Sequence, residues 1–140
     1  MKSVLFTIDG ERPPNAQTYY AGGNYHVRAK FALYWHERIQ KAMKDAKIKK
    51  QLLTNCTVDF HAKMKAPMLD ADNISCKVAI DSMKRWQRVK VFGKWQQVEN
   101  PLYLFTDDKF PFVIQIATSV VPATEDSLTI IVTGDLQEPK

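Results

Sequence analysis

Asp70, Asp72 and the adjacent pair Asp107-Asp108 are the residues of this chain whose type and spacing could do chemistry. Carboxylate oxygens are the preferred ligands of hard divalent cations, and phosphodiester hydrolysis at neutral pH needs such cations. Three carboxylates can hold one or two Mg2+ ions, with Mn2+ as the alternative. Such ions generate the attacking hydroxide, neutralise the non-bridging oxygens and stabilise the leaving 3′ oxygen. Taken alone, Asp-x-Asp-Asn ahead of a helix is a capping and turn sequence, and an isolated Asp-Asp pair says less. What sets these acids apart is their setting. Lys63 and Lys65 lead into Asp70-Ala71-Asp72, and Lys77 and Asp81 follow at one-turn spacing.

These residues must be positioned by elements that the hydropathy pattern predicts. Val4 to Ile8 reads as a strand, stopped by Asp9-Gly10 and Pro13-Pro14. From Ala29 to about Ala46, Phe31, Trp35, Ile39, Ala42, Met43 and Ala46 recur at helical spacing. Strict alternation from Cys56 to Lys65 predicts a half-buried strand, with Cys56, Val58, Phe60, Ala62 and Met64 facing one way. Pro67 ends it. A second helical pattern follows in Cys76, Ala79, Ile80, Met83 and Trp86, with Asp72 or Asn73 as its expected cap. Gly93 could turn a short hairpin, and two strands, Phe112 to Val120 and Leu128 to Thr133, close the chain. The expected fold is α+β, one domain over 1–140, with a mixed β-sheet and two helices packed on one face.

Composition narrows the partners. Twenty Lys and Arg against 15 Asp and Glu give a formal charge of +5 and a pI near 9.2, which favours a polyanionic partner. Cys56 and Cys76 fall in apolar surroundings and read as free thiols of a reducing cytoplasm. No stretch has the length of a signal-peptide core or a membrane span, so no membrane association is expected. No glycine-rich phosphate loop, clustered Cys and His, or serine nucleophile motif supports a small-molecule enzyme.

The run Asp70-Ala71-Asp72-Asn73-Ile74-Ser75-Cys76-Lys77-Val78-Ala79-Ile80-Asp81-Ser82-Met83 resembles the signature of the RusA family of Holliday junction resolvases, in which Asp-Leu-Asp-Asn leads to a lysine and then to Asp-Ala-Leu. Upstream, Pro13-Pro14-Asn15, Tyr19-Tyr20 and Tyr25-His26-Val27, placed just before the first helix, are similar to the family's opening. Downstream, Asp107-Asp108 followed by a valine-rich strand resembles its late acidic pair. The resemblance implies a RusA-like fold and Mg2+-dependent cleavage of branched DNA, above all four-way junctions, by a homodimer making two symmetric nicks. It implies Asp70, Asp72 and Asp108 as metal ligands, with Asp107 as a substitute for Asp108, and Lys77 as the essential lysine. It also implies a cytoplasmic protein, bacterial or, if phage encoded, in the host.

Two features depart from the family pattern. Three residues instead of two separate Asn73 from Lys77, which turns Lys77 about 100° around a helix axis. The stretch at about 84–104 is an insertion relative to the family's short loop. It carries Lys84, Arg85, Arg88, Lys90 and Lys94 among Trp86, Phe92 and Trp95. Together with Lys63 and Lys65 these cations are the candidate DNA contacts. Alternatively, Trp86 and Trp95 pack onto the core and the cations are merely solvated. His61 reads as an exposed strand residue. The competing functions are a metal nuclease acting mainly on flaps or forks, and a basic DNA-binding module without catalysis.

Overall fold

The computed structural model describes residues 1–15, 25–67, 70–71 and 74–137, apart from the side chains of 25–27. Tyr19, Tyr20, Asp72 and Asn73 lie outside the described residues. The elements run β1 (Lys2–Asp9), α1 (Tyr25–Asp45), β2 (Leu53–Met64), α2 (Cys76–Asp81), β3 (Trp86–Val91), β4 (Lys94–Glu99), β5 (Val113–Pro122) and β6 (Ser127–Leu136). This is a mixed α+β architecture. A four-stranded sheet has the order β1-β6-β2-β5, and β3 and β4 form a separate hairpin.

The alternation in β2 works as its pattern requires. Cys56, Val58, Phe60, Ala62 and Met64 are all buried, and they join Val4, Phe6 and Ile8 of β1 and Leu128, Ile130 and Val132 of β6 in one apolar layer. Trp35, Ile39, Ala42 and Met43 of α1 and Val78, Ala79 and Ile80 of α2 cover that layer. Burial of these side chains, at roughly 25 cal/mol per Å² of apolar surface, is the main force holding helices to sheet. The sheet's other face carries polar pairs, Ser3 with Thr133, Thr7 with Thr129 and His61 with Ser119, as expected for an exposed strand histidine, alongside Leu5, Ile131 and Val121. At Gly134 a Cβ would stand 2.8 Å from the Cys56 sulfur and 2.9 Å from the Thr54 carbonyl, so β6 and β2 can approach there only through glycine.

Four expectations are corrected. Ala46 is exposed, because α1 stops at Asp45 and a left-handed residue, Lys47 at φ 58°, turns the chain away. That helix also begins earlier, at Tyr25, so Tyr25-His26-Val27 is its first turn and not its lead-in. The second helix is a six-residue segment whose N-cap position is Ser75, neither Asp72 nor Asn73, and the Ser75 hydroxyl makes no capping bond. The reason is tertiary: Ser75 N–H donates to the Pro14 carbonyl at 2.7 Å and Ile74 bridges to Asn15, so strand-like pairing holds the backbone that an earlier helix start would use. Finally, Trp86 opens β3 instead of closing the helix. After Asp81, Leu104 N–H donates to the Met83 carbonyl and Arg85 N–H to the Phe105 carbonyl, both at 2.8 Å, drawing the chain into extended pairing.

β2 and β5 are parallel neighbours, so a crossover must join them. That crossover, residues 65–112, contains every acid singled out above together with the hairpin.

Candidate nuclease site

Two legs of the crossover meet beside the end of α2. One is α2 itself, with Lys77 exposed on its second residue and Asp81 half-buried on its last. The other is the 103–108 segment, which is stitched down from both sides. Leu53 N–H donates to the Leu104 carbonyl at 2.8 Å, and Leu104 and Phe105 are wholly buried. Gln40 of α1 ties the legs together: its Nε2 donates to the Ser82 carbonyl at 2.8 Å and the Leu102 carbonyl at 2.9 Å, and its Oε1 accepts the Leu102 N–H at 3.1 Å. Asn100, 2% exposed, closes the hairpin base by donating to the Lys84 carbonyl at 2.8 Å. Sequence reasoning passed over both amides, since a polar residue's partners far along the chain leave no local pattern.

Gln40→Leu keeps the side-chain volume and removes all three hydrogen bonds, leaving two carbonyls and one N–H partly buried without them. A loss of about 2 to 4 kcal/mol in a urea titration is expected. A cost below about 0.5 kcal/mol would show that Gln40 does not hold the legs together.

The acids brought together are Asp107, Asp108 and Asp81, around Lys84. The Asp107 and Asp108 carboxyls share a hydrogen bond, which pushes Asp108 above the ordinary carboxylate range, with burial adding to the rise, and pulls Asp107 below it. The Asp108 N–H also donates to Asp107 Oδ1 at 2.7 Å. Lys84 Nζ sits 3.3 Å from Asp81 Oδ1 and favours the ionised form of both Asp107 and Asp108, while Asp81 opposes ionisation of Asp108. Asp81 Oδ1 is buried without a hydrogen bond among the described residues. Lys84, expected as a DNA contact, is half-buried and paired with Asp81. The signal for Asp81 was its one-turn spacing from Lys77.

Asp70 is exposed on the loop after β2. Among the described residues no three of His, Cys, Asp and Glu are gathered to hold a metal ion, and Asp72, one of the three expected ligands, lies outside them. The donor chemistry fits a hard divalent cation in kind. Every candidate ligand is a carboxylate, Asp107 and Asp108 hold a shared hydrogen bond that a cation can replace, and the buried Asp81 oxygen has the Lys84 ammonium as its charge partner.

A cleft of about 420 Å³ opens next to this cluster, walled by Ala32, Leu33 and His36 of α1 and by Asp81, Lys84 and Arg88. Burial in this wall lowers the His36 pKa below its ordinary value. From the cleft the hairpin projects outward. Arg85 is tied down, ion-paired to Glu99 at 3.1 Å and lying over the rings of Trp86 and Tyr103. Arg88, Lys90 and Lys94 are exposed, with Arg88 and Lys90 over Trp95 at 5.4 and 5.9 Å from its ring centre. Trp86 and Trp95 are 38% and 54% exposed, so neither is buried in the core. Lys63 and Lys65 are exposed elsewhere, Lys63 on the sheet face away from the helices, beside the 123–127 turn.

Cys56 and Cys76 are free, and burial pushes each thiol up to about 11, so neither offers a thiolate at neutral pH. No helix among the described residues is long and apolar enough to cross a membrane. No model of a known protein family matches the chain, and no curated protein sequence matches it.

Proposed function

We propose that this chain is a Mg2+-dependent, structure-specific endodeoxyribonuclease that resolves four-way DNA junctions by paired nicks, acting in recombination and repair. The observation that carries the reading is the hydrogen-bonded pair Asp107-Asp108, held near Asp81 and Lys84 and backing onto a protruding hairpin rich in cations and aromatics. The resemblance of the 70–83 segment to the RusA signature supports it independently. Asp70, Asp72 and Asp108 would hold the cation, with Asp107 able to stand in for Asp108. When bound, the cation supplies Lewis acidity toward the phosphate and a hydroxide at neutral pH. The chain's own residues do the rest. Lys84 balances the charge of the acids, the packed 103–106 segment fixes where Asp107 and Asp108 stand, and the exposed Lys77 offers a cation to the phosphate backbone. A homodimer is proposed, with β5 as the candidate interface: it is an edge of the described sheet and exposes Ile114 at 51% and Ile116 at 49%.

The test uses labelled four-way junction, flap and linear duplex with Mg2+ or EDTA. Paired symmetric nicks in the junction that require Mg2+ support the reading. Faster cutting of flaps would move the activity to other branched DNA. Binding without cutting under Mg2+ or Mn2+ would make this a binding module.

On this reading, Arg88, Lys90 and Lys94 contact phosphates. Replacing each by alanine is expected to weaken junction and duplex alike and to lower the slope of log affinity against log salt by about 0.9 for every phosphate no longer neutralised. Anisotropy titrations across salt concentrations measure the slope, and an unchanged slope in the triple variant would remove the hairpin from the DNA interface.

A further inference from the structure

The turn of the β3–β4 hairpin is two residues long, Phe92-Gly93, between paired Val91 and Lys94. Both residues are left-handed, at φ 50° and 78°. Such a turn is best made by Asn-Gly or Gly-Gly, and a bulky side chain in its first position is strained. Phe92 is also 100% exposed. A phenylalanine here therefore carries two separate penalties, backbone strain and an aromatic ring wholly in water, and the fold gains no packing from it. Strain of this kind held at an exposed tip points to a role outside the fold. The flanks say what that role faces. Lys90 and Lys94 stand on either side of the tip, and Arg88 and Lys90 stack on Trp95 behind it, so an apolar point rides on a cationic ribbon. A polyanion with an apolar gap complements this shape.

We propose that Phe92 is a wedge that stacks into the open centre of a branched DNA, while Arg88, Lys90 and Lys94 hold the flanking phosphates. The proposal rests on the nuclease reading above and deepens it by naming the feature recognised. Inserting an aromatic ring into an intact duplex requires breaking a base stack, whereas at a branch point stacking is already interrupted. The tip therefore discriminates branched from linear DNA by the difference in that cost, without reading sequence.

The test compares wild type, Phe92→Asn and Phe92→Trp as full chains in EDTA, where no cutting occurs. The probes are a four-way junction carrying 2-aminopurine at the branch and a linear duplex of the same sequence. Asparagine accepts a left-handed backbone, so Phe92→Asn should melt at the same temperature as wild type or higher, which separates this role from a structural one. Its affinity for the linear duplex should be unchanged, its affinity for the junction about tenfold weaker, and the 2-aminopurine fluorescence rise should vanish. Phe92→Trp should retain both. If Phe92→Asn keeps the junction preference and the fluorescence rise, the wedge is overturned while the nuclease reading stands. If Phe92→Asn turns a dimer into a monomer in sedimentation, the tip is a protein contact and the wedge is overturned. If wild type binds neither DNA, both readings fall together.

Discussion

Asp108→Asn is expected to lower Mg2+-dependent junction cleavage by about 10³-fold or more, equivalent to about 4 kcal/mol of transition-state stabilisation, and to leave junction affinity and the fold intact. Asparagine keeps the size of the side chain and can still donate a hydrogen bond to Asp107, but it offers a neutral oxygen where a divalent cation needs an anionic one. The same change tests whether the pair is structural. In the wild type the hydrogen bond to Asp107 raises the Asp108 pKa, with burial adding to it, so ionising Asp108 costs folding free energy. That cost is absent at low pH, where Asp108 is protonated in both folded and unfolded chains. It appears as the pH rises from the ordinary carboxylate value through the raised folded value. The variant should accordingly be as stable as wild type at low pH and equally or more stable at neutral pH. Cleavage assays give the first arm and thermal melts at two pH values the second. Full activity in Asp108→Asn, repeated in Asp107→Asn, would end the metal-ligand assignment. A lower melting temperature at neutral pH would make the pair a structural element.

Phe105→Ala is the variant expected to cost the fold most near the site, about 3 to 5 kcal/mol from a total that for domains of this size is roughly 5–15 kcal/mol. Phe105 is wholly buried, its carbonyl accepts the Arg85 N–H, and it lies two residues before Asp107. Truncation leaves a ring-sized cavity beneath the one segment that joins the sheet, the hairpin base and the acid pair. Urea unfolding measures the stability. Phe105→Leu, which fills most of the volume, should cost less than about 2 kcal/mol. Below the midpoint of unfolding, junction cleavage by Phe105→Ala should fall further than its folded fraction explains, because the acids lose their footing before the sheet melts. If cleavage simply tracked the folded fraction, the position of Asp107 and Asp108 would not depend on this anchor.

How much of this was legible in the sequence depended on whether the forces were local. The alternation from Cys56 to Met64 and the helical spacing from Phe31 to Met43 name their own buried faces, since a pleat and a helix each impose one period. The Gly93 turn followed from backbone sterics. Trp86 misled because it falls three residues after Met83, at helical spacing, while its extended state is set by pairing near Phe105, about twenty positions away in the chain. The helix start after Ser75 was hidden for the same reason: Pro14 and Asn15 decide it. At the site, Asp107-Asp108 and Asp81 were each visible as acids, but nothing local shows that Lys84 is half-buried and paired with Asp81 where Arg88 and Lys90 are exposed.

The closed base of the hairpin has a consequence of a different kind. Asn100 N–H donates to the Arg85 carbonyl at 2.9 Å and its side chain to the Lys84 carbonyl, so the chain leaves and re-enters the crossover at nearly one point. Everything between, 86–99, hangs from that base, with Gln87 and Arg88 also lining the cleft beside α1. The hairpin's length, charge and tip can drift, or be exchanged for a simple turn, without displacing the acids anchored at Leu104 and Phe105. On the proposed nuclease reading, substrate preference and cutting chemistry fall on separate parts of one loop, so what is recognised can change while the part that cuts stays as it was.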